Sequence, residues 1–383
     1  MRNAAAPALA ILFAASALWA ASACGSFSAD TPGDVADGAA EGAADGPGGE
    51  GSIGPDGATS GEPRRIYVVG GELPDATVDG GPVFTSSVLF TTQEADGGLA
   101  PWTETTALAP IHGNAAAASG AAIVTLGGEI QDPFGTSASP AASRAAVLTD
   151  GKLDTWLDTQ LLTDPLYFHA TVAVGGNVYV IGGQTPGRGP LATVRVATLA
   201  ANGAIGTWTT TAPLPAARSR LAAATDGAHI FVVGGGSAAD GGTPCEPEVL
   251  VGTIGPDGAI VDWAKTGQVY AGASPAVAVF AKKLYILGGF GCAGGASKQV
   301  QIAEIQANGI LGAFTTGAPL PSASSGLGAV ILGQHLYAVG GNDGTTRVPD
   351  VFVANLDSTG GYESWAVGTA LPVGRSLFGI AAH

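Results

Sequence analysis

The chain has 383 residues, of which 46% are hydrophobic and only 12% charged, with 61 glycines, 24 prolines and a mean hydropathy of +0.31. This composition fits neither a coiled coil nor a chain disordered over most of its length, and the glycines and prolines predict a turn-rich fold. A formal net charge of −16 argues against non-specific binding to nucleic acid or to an anionic membrane surface.

The N-terminus reads MRNAAAPALAILFAASALWAASAC. One arginine precedes an apolar stretch from Ala4 to Ala20 that ends in small residues. The stretch is short and alanine-dominated, and no positive stop-transfer flank follows, so it predicts a secretory signal rather than a membrane span. Ala21-Ser22-Ala23 directly before Cys24 resembles the lipobox of bacterial lipoproteins, although Ala21 stands where leucine is most usual. The resemblance implies cleavage before Cys24, acylation of its thiol and a membrane partner reached through acyl chains, each buried methylene adding roughly 0.8 kcal/mol. Gly25 stands where an aspartate is the usual inner-membrane retention signal, so the expected address is the outer membrane of a bacterial envelope. The alternative is an ordinary secretory signal followed by an unmodified cysteine.

Residues 24–64 form an expected second segment after the signal of residues 1–23. From Gly25 to about Glu62 the chain is mostly Gly, Ala, Asp, Glu, Pro and Ser, with almost no large apolar side chains and without lysine or arginine. It carries too little apolar surface to offset the entropy of ordering, and its like charges repel, so a flexible tether is expected. A cation-binding or recognition tail is the functional alternative.

From Arg65 to His383 one pattern returns: RIYVVGGE, AAIVTLGGE, NVYVIGGQ, HIFVVGGG, KLYILGGF and HLYAVGGN. The glycine pairs begin at Gly70, Gly127, Gly182, Gly234, Gly288 and Gly340, spaced 52 to 57 residues apart. A second marker keeps step, at Trp102, Trp156, Trp208, Trp263, Phe314 and Trp365. Each unit predicts four strands. An Ala/Val-rich segment such as LAAAT precedes the apolar run, and an alternating segment such as TVRVATL follows it with the period of two of a strand. An Asp-Gly or Asn-Gly pair at 96–97, 150–151, 202–203, 257–258 or 308–309 then predicts a type I′ hairpin into the fourth strand, which carries the aromatic. Pro-Leu-Pro, clearest at Pro213–Pro215 and Pro319–Pro321, leads to the next unit.

Four strands in about 50 residues, an apolar run before a double glycine and a spaced tryptophan resemble the Kelch repeat. The resemblance implies an all-β, six-bladed β-propeller over residues 65–383, each glycine pair allowing close backbone approach and unusual φ angles. A second aromatic expected in many Kelch units is weak here. The first unit starts at its second strand, and the terminal GRSLFGIAAH matches ARSRLAAAT, so the C-terminal strand is expected to complete the first blade and close the ring. A seventh blade has too few residues.

Cys245 and Cys292 fall in the loops after Gly-Gly in neighbouring blades, and an oxidising compartment favours a disulfide between them over two free thiols. No His or Cys sits at metal-ligand spacing beside either, so no metal or other cofactor is expected. The five histidines, at 112, 169, 229, 335 and 383, are too scattered for the copper site of the galactose oxidase group. His229 and His335 occupy matching places before the second strand and read as turn residues. In partner-binding Kelch propellers the mouth is built by the loops after Gly-Gly and those entering each first strand. Carried onto this chain, the first set offers Glu72, Glu129, Gln184, Gly236, Phe290 and Asn342, and the second His112, His169, Arg218, Ser274, Ser325 and Arg375. Arg218 and Arg375 share an ARS/GRS context and either grip a ligand carboxylate bidentately or cap loop carbonyls. Glu72 and Glu129 are ligand groups or solvated loop charges.

Three functions fit this reading. One is a lipid-anchored module binding an envelope protein or glycan. The second is a small-molecule enzyme, since secreted Kelch propellers include sialic acid mutarotases; it needs a carboxylate facing an arginine. The third is a structural envelope protein. Fold alone does not choose among them.

Overall fold

The computed structural model describes residues 63–76, 82–132, 135–237 and 245–383. The chain divides into two units, 1–50 and 51–383, and the described residues belong to the second. The signal, Cys24 and the tether lie outside them. The described residues are all-β, and no helix among them is long and apolar enough to cross a membrane.

Four-stranded antiparallel sheets repeat six times among the described residues. In the third, the order from the inner edge outwards is Ala170–Val174, Asn177–Ile181, Val194–Thr198 and Thr209–Thr210. The fourth, fifth and sixth repeat that order, beginning at Ala222–Thr225, Ala276–Phe280 and Gly328–Leu332. The second begins at Ala115–Ser119. The first differs in connectivity: the C-terminal strand Gly379–Ala382 pairs antiparallel with Arg65–Val69, setting Ile66 opposite Ala382 and Val69 opposite Gly379. Arg65 and His383 extend this pairing through two backbone bonds, of 2.6 and 2.9 Å.

The apolar runs before each glycine pair are central strands with sheets packed on both faces, so they read as continuous rather than alternating patterns. Ile66, Tyr67, Val68 and Val69 are all fully buried. The glycine pairs have φ angles that side chains rarely adopt, +67° and +109° at Gly70 and Gly71. A Cβ on Gly70 would sit 2.5 Å from the Ile111 carbonyl oxygen, so the next sheet's entry loop needs the missing side chain.

The hairpin turns differ from the expected type I′. Positive φ occurs on the glycine alone, +84° at Gly97 and +78° at Gly203, and Gly97 N–H bonds back to the Glu94 carbonyl. This is a type I turn followed by a left-handed glycine, the three-residue hairpin with a G1 bulge. The Asp or Asn before each glycine serves through its side chain instead. Asp96, Asp150, Asn202, Asp257 and Asn308 each accept the N–H two residues on, at 2.8 to 3.2 Å.

Two kinds of side chain tie neighbouring sheets together. The tyrosine of the apolar run donates to the turn-glycine carbonyl of a neighbouring sheet: Tyr67 to Gly151, Tyr179 to Gly258, Tyr285 to Gly360 and Tyr337 to Gly97. The repeat tryptophans donate their indole N–H to carbonyls in the preceding sheet, Trp156 to Thr106 and Trp208 to Gln160 among them. Trp102 of the first sheet donates to Thr369, beyond the sixth. Each innermost strand packs against two others, and Gly379–Ala382 lies against both Ala115–Ser119 and Gly328–Leu332.

Candidate functional site

Where each inner strand is entered, one residue takes the left-handed conformation: Gly113, Phe168, Arg220, Ser274, Gly326 and Leu377, with φ between +49° and +60°. Their backbones bond to one another. Phe168 donates to Gly113, Arg220 to Phe168, Ser274 to Arg220, Gly326 to Ser274, Leu377 to Gly326 and Gly113 to Leu377, all at 2.7 to 2.9 Å. Each of the six therefore both donates and accepts. Arg220, Ser274, Gly326 and Leu377 also line a pocket of about 480 Å³, so this hydrogen-bonded sextet forms part of its floor. Its walls include Glu72, Phe290, Ser325, Asn342 and Ser376.

Behind Glu72 lies a charged cluster. The His112 imidazole stands between two carboxylates, Nε2 bonded to Glu129 Oε2 at 2.8 Å and Nδ1 at 2.8 Å from Glu72 Oε1. The second contact is an ion pair without the alignment of a hydrogen bond. Phe84 stacks on the ring with centroids 3.9 Å apart. Arg347 Nη2 donates to Glu72 Oε2 at 2.5 Å from a loop 275 residues away. Burial opposes ionisation of Glu72, but the His112 and Arg347 contacts outweigh it and hold the carboxyl at about 2. Burial likewise opposes charging His112, and its hydrogen bond to Glu129 and ion pair with Glu72 overcome it, raising the imidazole pKa. The His112 bond lowers Glu129. These contacts favour the charged forms, an imidazolium between two carboxylates with Arg347 on Glu72.

Arg220, on the floor, is held differently. Its guanidinium lies 3.8 Å over the Phe168 ring, a cation–π contact, and its Nε is buried without a hydrogen-bond partner. Burial lowers its pKa, against the opposing attraction of Glu72, Tyr167 and Glu129.

Of the residues expected from sequence, Glu72, Glu129 and His112 come together, and Glu72 and Asn342 line the pocket. Arg218 and Arg375 do not reach it. They are 1% and 3% exposed, and they donate to backbone carbonyls: Arg218 to Gly234 and Glu248, Arg375 to Gly70 and Ser87. The ARS/GRS match marks a shared structural task, capping the end of the central strand. Gln184 is buried, its backbone paired with Tyr167. His169 is buried with neither ring nitrogen hydrogen-bonded, packed beside Gly127 and Gly183, and burial lowers its pKa to about 4. Sequence reading missed Arg220 and Arg347. Arg220 stands two residues after Arg218, at a place where the other units carry Gly, Phe, Ser or Leu. Cys245 and Cys292 are joined, with Cα atoms 5.9 Å apart. Among the described residues no group of three or more His, Cys, Asp or Glu is arranged to hold a metal ion.

No family model and no curated protein matches the chain. Among solved structures it resembles YjhT, with a TM-score of 0.60 and 13% identity, over 82% of this chain and 99% of that one. At that identity the likeness is one of fold, and it supports a Kelch-like β-propeller.

Proposed function

We propose that this chain is a lipid-anchored, extracytoplasmic Kelch propeller of six blades that binds a ligand, or a side group of an envelope partner, in its mouth. The six-bladed, closed form is supported by the hydrogen-bonded sextet and by the pairing of Gly379–Ala382 with Arg65–Val69. The anchor rests on the lipobox resemblance at Cys24. Binding rests on one observation: a pocket of about 480 Å³ with a hydrogen-bonded backbone floor and polar walls from Glu72, Ser325, Asn342 and Ser376. The test is a binding screen against sialic acids, other acidic sugars and a cell-envelope extract, with a pocket-filling Ser325→Trp variant beside the parent. A ligand retained by the parent and lost by the variant is expected. Retention indifferent to the filled pocket would move the function elsewhere.

A mutarotase-type enzyme is the second reading, favoured by Glu72 and Arg220 lining one pocket. Against it, a carboxylate held at about 2 is a weak base and is not protonated at neutral pH. A rate of anomer interconversion that falls with Glu72→Gln would support it over simple binding.

A further inference from the structure

We propose that Arg220 is the anion seat of the mouth, and that the pocket takes a small monocarboxylate whose ring rests on the Phe290 wall. This rests on the mouth being the binding site. The cationic groups around the pocket differ in what they already hold. Arg347 is committed to Glu72 and His112 to two carboxylates, whereas Arg220 makes no ion pair or side-chain hydrogen bond with any described residue, its close contact being the Phe168 face. A half-buried guanidinium without a carboxylate or carbonyl partner retains hydrogen-bonding capacity for a ligand. It is the one charged residue of the sextet, and the left-handed backbone there, +58° for Arg220, is a conformation disfavoured for a side chain. Two members are glycine, so their part of the floor carries no side chain to compete for space.

Charge points the same way. Of the two charged residues that line the pocket, Glu72 is already paired with Arg347 and His112, so Arg220 is the lining charge left for a ligand. Phe290, 45% exposed on the pocket wall, and Leu377 on the floor supply apolar surface for a ring. Both a carboxylated sugar and an aromatic acid present this chemistry.

Calorimetric titration with glucuronate and benzoate, each beside its neutral counterpart glucose or benzyl alcohol, tests the assignment and separates the two sources. At least one acid is expected to bind about tenfold or more tightly than its counterpart, a preference lost in Arg220→Gln and partly kept in Arg220→Lys. Phe290→Ala, at an exposed site that leaves folding intact, should weaken both acid and counterpart. Wild-type protein that shows no preference for either acid overturns the inference, as does a preference surviving in Arg220→Gln. Neutral counterparts binding as well as the acids would overturn it while leaving the mouth as the binding site. Should Arg220→Gln unfold, the Lys variant decides: an acid preference unchanged from wild type alongside an unchanged response to Phe290→Ala counts against a bidentate guanidinium seat.

Discussion

Tyrosine hydroxyls and indole N–H groups secure the joins between sheets, and the repeat shows what each contributes where it is lost. The position of Tyr67, Tyr179, Tyr285 and Tyr337 is taken by Val124 in the second unit and Phe231 in the fourth, and Phe314 replaces tryptophan in the fifth. Val124 and Phe231 stay fully buried and Phe314 partly so, but all three lose the donor, so packing is the common requirement and the bond an addition. Tyr179→Phe should therefore cost only about 1 kcal/mol, read from urea unfolding at constant m value. His169 behaves differently. Its imidazole is held neutral, with a pKa of about 4 against 6.5 when unfolded, so the unfolded chain binds more protons between those values. Its contribution is complete above pH 6.5 and is lost as pH falls towards 4, by about 3 kcal/mol. His169→Leu should flatten the decline in melting temperature across that window. A decline as steep as the parent's would assign it to other groups; Glu72 is not one of them, since its window lies lower, between 4.5 and about 2.

At the scale of elements, the strands were the most legible part of the sequence. Central strands appear as continuous apolar runs because both faces are covered, and six copies in phase made their ends visible through the glycine pairs. The turns were legible in position but not in type. Asp-Gly and Asn-Gly suit two turn classes, and the choice follows from the side-chain bond that each Asp or Asn makes to the N–H two residues on. The C-terminal strand was legible because it repeats a segment missing at the start of the first unit. Deleting residues 374–383 removes the Arg375 cap, the Ser376 pairing with Glu72 and the whole inner strand of the first sheet. Loss of cooperative unfolding is expected in a denaturant melt, and a truncated chain that melts like the parent would refute that dependence. The Cys245–Cys292 bond spans 47 residues and joins mouth loops of the fourth and fifth sheets. Non-reducing peptide mapping should recover the two cysteines joined, and a double Ser variant should lose about 2–4 kcal/mol.

For the molecule as a whole, fold and site were unequally legible for a physical reason. The fold repeats, so each feature is stated several times along the chain. The site is assembled once, from side chains of different sheets that share no motif, and Glu72 meets Arg347 across 275 residues. Sequence context therefore led to Arg218 and Arg375, which repeat, rather than to Arg220 and Arg347, which do not. The backbone bonds between Arg65 and His383 carry a further consequence. Because the folded ends already lie side by side as a cross-strand pair, a short turn can join them, and the order in which the sheets occur along the polypeptide is not itself a requirement of the fold. A circular permutant joining residue 383 to residue 65 through a two-residue Asn-Gly turn and opened at the Asn202-Gly203 turn should reach the same structure, with the pairing of the two termini turned into an ordinary hairpin and its former dependence on the last ten residues abolished.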